Sequence, residues 1–91
     1  MVSDLINIKV YPNPISSVLK LEFGTTEKMG TQNLQLEVQD VYGRTVKNKV
    51  VQTDNKVQEI NLTNVISGNY FLVIRNENGT LLRTIKLVKI N

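Results

Sequence analysis

The sequence predicts an all-β fold, an immunoglobulin-like sandwich of about seven antiparallel strands in one domain spanning residues 1–91. Three observations carry this. Apolar residues recur with period two along most of the chain, the spacing that lines one face of a strand. Clusters of Pro, Gly, Asn and Asp interrupt these runs at short intervals, as in sandwiches with many short strands. No stretch sustains a helical period.

In the first strand Ile6, Ile8 and Val10 share one face, with Asn7 and Lys9 on the other. Pro12 and Pro14 end it, because neither can donate to a ladder and each restricts the residue before it. Leu19, Leu21 and Phe23 alternate with Lys20 and Glu22 in a second strand. Gly24 to Gln32 is polar and Gly-containing, hence a loop. Leu34, Leu36 and Val38 alternate with Gln35, Glu37 and Gln39, the cleanest half-buried strand in the chain. Asp40 to Arg44 is a turn, with Gly43 suited to positive φ. Thr45 to Gln52 is Lys-rich and is expected near a sheet edge.

Thr53-Asp54-Asn55 is another turn. Gln58, Ile60 and Leu62 follow, with Ile60 and Leu62 facing inward. Thr63 to Gly68 is either a short helical turn or a tight corner. Asn69 to Arg75 is apolar on both faces, Tyr70, Leu72 and Ile74 opposite Phe71 and Val73, which suits a central strand covered on both sides. Asn76-Glu77-Asn78-Gly79 is a hairpin, and Asn-Gly favours the type I′ turn. Leu81 to Ile90 is the last strand. Its faces are both mixed, which points to a bulge or a change of pairing partner. The sequence carries no repeat, low-complexity stretch or linker.

Composition narrows the chemistry. Cys, His and Trp are all absent. That removes disulfides, thiol nucleophiles and cysteine-held zinc or iron–sulfur centres. It also removes the usual general base near neutral pH. A chain this short buries only about 60% of its unfolded surface, so the core is thin and aliphatic. Ser16 and Ser17 have no histidine partner, and the lysines alternate outward rather than into a buried catalytic position. Glu37 and Asp40 read as a strand-face carboxylate and a turn residue. Asp54, Asn55 and Glu59 lack the spacing of a calcium loop. The sequon-like Asn61-Leu62-Thr63 and Asn78-Gly79-Thr80 are short patterns that recur by chance. Tyr11 and Tyr42 are read as packing beside the Pro turn and over the Gly43 hairpin. Cations are not interleaved with aromatics on one platform, so nucleic-acid binding is not expected. No run suits a membrane-spanning helix, so direct membrane insertion is not expected. No cofactor or metal is implied, and an enzyme is the least expected class.

The net charge of +3 is concentrated. Residues 1–78 hold eight basic and eight acidic side chains, whereas residues 79–91 add Arg83, Lys86 and Lys89 with no acid. A Lys-rich edge protected against aggregation explains this, and so does a basic handle read by a receptor.

Short landmarks in fixed order add to this: Tyr11-Pro12-Asn13-Pro14 before an alternating strand, Asp40 with Gly43 mid-chain, Gly68 and Tyr70 opening an apolar strand, and Lys86-Leu87-Val88-Lys89 near the end. Together they resemble the C-terminal sorting domain, type A, of the bacterial type IX secretion system, over about Ile8 to Asn91. The resemblance implies a non-catalytic domain ending a larger exported protein of the Bacteroidetes group. Its partners would be the type IX translocon, its shuttle proteins and a sortase-like peptidase that commonly removes the domain. It would pass through the periplasm and reach the cell surface or the medium. A signal peptide would then lie upstream in the parent, with Met1 added to a fragment. The processing point lies near or before the start of such domains, and nothing in Val2 to Asn7 identifies it.

On this basis the last strand is the expected receptor-recognition element: Arg83, Lys86, Leu87, Val88, Lys89, Ile90 and Asn91, with backbone groups pairing to a receptor strand. Tyr11, Pro12, Asn13, Pro14, Asp40, Gly43, Gly68 and Tyr70 are expected to shape the sandwich. Two rivals share the fold, an immunoglobulin- or fibronectin-like surface binding module and a spacer between other domains. An isolated domain with an open edge strand is also expected to be able to pair with a second copy.

Overall fold

The computed structural model describes residues 7–24, 33–53 and 57–91. Seven strands make two antiparallel sheets: β1 (Asn7–Tyr11), β2 (Val18–Gly24), β3 (Asn33–Asp40), β4 (Thr45–Gln52), β5 (Val57–Asn61), β6 (Gly68–Asn76) and β7 (Leu81–Lys89). One sheet runs β1-β2-β5 and the other β4-β3-β6-β7. This is the expected β-sandwich. Ile6, residues 25–32 of the expected loop and the Asp54-Asn55 turn lie outside the described residues.

The core is aliphatic, as the composition requires. Leu19, Leu21 and Phe23 of β2 and Ile60 of β5 face Leu34, Leu36 and Val38 of β3 and Leu72 and Ile74 of β6. Ile15, Leu62 and Leu87 are also fully buried. Each of the alternating runs therefore points its apolar set inward, which fixes register, since a one-residue slip would expose the whole set.

The β3–β4 and β6–β7 hairpins are geometric twins, offset by 36 residues from Asp40 to Asn76. Asp40 N–H donates to Arg44 O at 2.9 Å and Gly43 N–H to Asp40 O at 3.0 Å; Asn76 N–H donates to Thr80 O and Gly79 N–H to Asn76 O, both at 2.9 Å. Gly43 has φ 84° and Gly79 φ 86°. Val46 is an extra residue in β4, because Val38 pairs with Lys47 and Gln39 with Thr45. Leu82 is the same extra residue in β7, because Ile74 pairs with Arg83 and Arg75 with Leu81. Both loops are thus turns closed by a left-handed glycine and followed by a bulge.

This corrects the expected type I′ turn at Asn78-Gly79. That turn needs positive φ at both central residues, and no described non-glycine residue has it. The side-chain oxygen of Asn76 holds the turn instead. The expected bulge in the last strand is present at Leu82.

Of the two readings of Thr63 to Gly68, the tight corner is the one that forms. One further expectation changes. β6 is central, between β3 and β7, but among the described residues no third layer covers its outer face. Val73 is nonetheless only 5% exposed. It lies opposite Glu37 in the β3–β6 ladder, and Glu37 reaches Arg75 at 3.5 Å. Long polar side chains of its own sheet therefore shield it.

The strand directions sort the molecule into two ends. The near end holds Asn7, Gly24, Asn33 and the Asn76 loop. The far end holds Tyr11–Ser17, the Asp40 loop, the 62–67 corner and Ile90-Asn91. Asn7, the first described residue, therefore lies at the near end. The body is 40 Å along its longest axis.

Candidate functional site

β7 is an edge strand, hydrogen-bonded to β6 alone within its sheet. Half of its outer edge is nevertheless occupied. Asn13 Nδ2 donates to Lys86 O at 2.9 Å, and Val88 N–H donates to Asn13 Oδ1 at 3.0 Å. Ile15 N–H donates to Val88 O at 2.8 Å, and Ile90 N–H donates to Ile15 O at 2.7 Å. Ile15 forms a parallel bridge with Lys89 and is fully buried.

The Pro12-Asn13-Pro14 sequence explains this clamp. Proline has no N–H, so neither Pro12 nor Pro14 can donate to the edge of β7. The side-chain amide of Asn13 carries one donor group and one acceptor, the same inventory as a backbone peptide. It stands in for the missing peptide. Both Tyr11-Pro12 and Asn13-Pro14 are cis.

The outward backbone groups of Lys86 O, Val88 and Ile90 N are therefore already paired. By strand alternation the groups of Thr84 and the Lys86 N–H also point outward, and no described residue bonds them. The open length of the edge is the first half of β7, not its end.

The expected recognition side chains divide by face. Arg83, Leu87 and Lys89 pair with Ile74, Tyr70 and Gly68 on the sandwich side. Lys86 and Val88 pair with Phe71 and Asn69 on the outer side. Leu87 is fully buried, and Lys89 is only 3% exposed with its ammonium donating to Ile90 O at 3.1 Å. The three cations are not one patch. The outward alternation expected of the lysines fails at Lys89, whose cross-strand neighbour Gly68 carries no side chain to block its stem. The burial of Leu87 and Lys89 makes them residues that dock β7 onto the sandwich. Lys86, Ile90 and Asn91 stand exposed, and Arg83 and Val88 are half-buried.

The remaining landmarks shape turns. Asp40 Oδ1 accepts the N–H of Tyr42 at 2.9 Å and of Arg44 at 3.0 Å, while Oδ2 accepts Arg44 Nε at 2.8 Å. Desolvation pushes the Asp40 carboxyl up, but the Arg44 backbone and guanidinium bonds and the Tyr42 bond outweigh it and hold it below its usual value. Gly68 sits at φ 154°. An added Cβ there would meet the Tyr70 ring at 3.8 Å, so backbone conformation and not space selects glycine. Tyr70 Oη donates to Ile66 O at 2.5 Å, a link of the tyrosine-corner kind.

Tyr42 departs from its expected packing. It is 82% exposed, with the Arg44 guanidinium 5.5 Å from its ring centroid. Glu37 engages Arg75, Ser16 and Ser17 are exposed, and Asn61 Oδ1 accepts the Thr63 N–H at 2.9 Å. The Asp54 and Asn55 part of the weighed calcium group lies outside the described residues. The Asn13 clamp was missed at the sequence level. Its signal was an amide side chain between two prolines, where the backbone cannot supply the donors.

The family model described as the secretion system C-terminal sorting domain matches residues 9–89. No curated protein matches the chain. Among solved structures, dimeric latent PorU from Porphyromonas gingivalis superimposes with a TM-score of 0.71 at 19% identity. The match covers 99% of this chain and 10% of that one, and at this identity it speaks to the fold alone.

Proposed function

The chain belongs to the family of secretion system C-terminal sorting domains, and from that premise we propose that it acts as a non-catalytic address read through β7. The translocon and its shuttle proteins read it, and a sortase-like peptidase removes it from its cargo. The cargo crosses the periplasm and ends on the cell surface or in the medium. The observation that carries this reading is the family match across residues 9–89, which spans every strand from β1 to β7.

The arrangement suits the role. Cargo attaches at the near end, so the far end and the flank of β7 stay open. Thr84 and the Lys86 N–H offer a short free edge to a partner strand, and Arg83 and Lys86 flank it with charge. Leu87, Lys89 and the Asn13 clamp keep the rest of β7 in place. A surface-borne signal of this kind can be appended to unrelated cargo.

The test is a transplant. Residues 2–91 are fused to the C-terminus of a periplasmic fluorescent reporter in a type IX-competent strain and in a translocon-deficient control. Surface or secreted reporter in the competent strain alone is expected. Removing Ile85 to Asn91 should abolish delivery, and because that truncation also deletes buried Leu87, an Arg83→Glu/Lys86→Glu variant accompanies it. Retention of the intact fusion in the periplasm of both strains, with the domain folded, would overturn the sorting role. Normal delivery of the folded double variant would overturn the part assigned to β7.

A further inference from the structure

We propose that the far end of the sandwich is a second docking surface, one that seats an acidic, apolar polypeptide segment of the export machinery in the pocket between Arg44 and Ile66, with Tyr42 beside it against Arg44. The inference rests on the sorting role but assigns it a site away from β7.

Exposed apolar side chains are unevenly placed. Of the nine large ones exposed among the described residues, Tyr11, Val41, Tyr42, Val46, Ile66 and Ile90 lie at or beside the far end. That is the end remote from the cargo junction. Tyr42 and Ile66 are the most exposed, at 82% and 80%.

Both are held out by organised turns. The Asp40 carboxylate takes three donors from the loop that carries Tyr42. The 62–67 corner is closed by Val65 N–H donating to Leu62 O at 2.9 Å, by Asn61 holding the Thr63 N–H, and by Tyr70 Oη on Ile66 O. Turns already ordered lose little freedom when a partner binds. Aromatic and Arg side chains are the types that dominate interface energetics.

An open pocket of about 310 Å³ lies between the two turns, lined by Arg44, Val46, Lys47, Val65, Ile66 and Tyr70 among others. Its charge selects the partner. Asp40 and Arg44 both line it and form an ion pair at 2.8 Å, so their charges cancel and Lys47 supplies its net positive charge. Arg44 uses only Nε there, and Lys47 forms an ion pair with no described residue. The lining sets the Lys47 cation beside the apolar side chains of Val46, Val65 and Ile66, which suits an apolar side chain next to a carboxylate. The concave shape favours a side chain over a bilayer surface.

The twin hairpin shows that the fold does not require this display. Between its Asx and its glycine it carries Glu77 and Asn78, where the far-end loop carries Val41 and Tyr42. The backbone is the same, so the apolar pair is a property of the surface and not of the turn.

The test uses the reporter fusion above. Tyr42→Ser/Ile66→Ser is compared with Val50→Ser/Leu81→Ser, which removes two exposed apolar side chains away from the far end. Each purified domain is first shown to melt as the unsubstituted one does. The far-end pair is expected to lower surface delivery at least tenfold and the control pair less than twofold. Lys47→Arg should preserve delivery and Lys47→Glu should lose it. Undiminished delivery by the folded far-end variant, while the unsubstituted fusion is exported, would overturn the docking surface and leave the sorting role standing. Equal loss from Lys47→Arg and Lys47→Glu would overturn the acidic partner. Failure of the unsubstituted fusion itself would remove both. Flotation with phosphatidylglycerol vesicles decides the occupant: no binding is expected, and binding that the far-end variant abolishes would overturn a polypeptide in favour of lipid.

Discussion

The β3–β4 and β6–β7 hairpins share one backbone and divide the labour of the surface. Their turns, glycines and bulges coincide position for position. Even their buried polar residues correspond: Thr53, just past β4, and Lys89, at the end of β7, are fully and almost fully buried. The second strands differ. β4 pairs with β3 alone and is exposed along nearly all its length. β7 has Asn13 and Ile15 along its outer edge and ends buried. The loops differ in the opposite sense, with an apolar tip on the exposed hairpin and a polar tip on the sealed one. One geometry therefore serves both hairpins, and what is attached to it decides which becomes an anchor and which a display.

The largest effect that tests this contrast comes from the equivalent core residues Leu87 and Val51. Leu87→Ala is expected to cost about 2–5 kcal/mol. That is a large share of the ~5–15 kcal/mol that holds a domain together. Val51→Ala removes one carbon fewer, at about 0.8 kcal/mol per buried carbon, from a strand free to fray. It should cost visibly less in urea denaturation. An equal or larger loss at Val51 would mean that β4 is as integral as β7, and the contrast would fail.

Asn13→Ala turns β7 into a strand more like β4. It removes two hydrogen bonds, worth about 1–3 kcal/mol together. The amide protons of Val88 and Ile90 should exchange faster, and the freed edge should raise self-association. Asn13→Asp keeps an acceptor for Val88 N–H but sets a carboxylate against Lys86 O, so it should not rescue the clamp. Unchanged protection of Val88 in Asn13→Ala would show that Ile15 alone holds the edge.

Much of this was legible in the residues. Period-two alternation located β2 and β3 because each buries one face, while β4, exposed along nearly all its length, was placed by its lysines. The Asp40 and Gly43 turn was legible because a left-handed residue is rarely anything but glycine. The Asn76 loop was misread as type I′ because Asn-Gly is compatible with two turns. Which one forms depends on whether Asn76, two residues upstream, accepts from Asn78 and Thr80. The twin relation was invisible, since Asp-Val-Tyr-Gly-Arg and Asn-Glu-Asn-Gly-Thr share only the Asx and the glycine that the backbone uses. Lys89 was misassigned because burial of a lysine depends on a neighbour without a side chain, Gly68, across the sheet. The partner of the clamp was out of reach for the same reason: the prolines flag Asn13, but Asn13 and Lys86 meet only through the fold.

The finest test uses the difference between the two residues that hold the turns. Asp40 titrates and Asn76 does not. The Asp40 pKa is lowered from its usual 3.8 in the folded chain, so the carboxylate favours folding. That contribution is fully present above the unfolded value of about 3.9 and is lost as pH falls through the lower folded value. The amide resonances of Tyr42 and Arg44 should therefore move with a midpoint below 3.8, whereas that of Thr80, which donates to the neutral Asn76 Oδ1, should move far less in a Glu77→Gln background over the same range. The tip that carries Tyr42 should loosen in acid while its twin keeps its shape. Co-titration of both loops would mean that the transition is global. A midpoint at or above the usual value would mean that Arg44 and the loop amides do not hold the carboxylate, and that the exposed tip is not organised in the way its docking role requires.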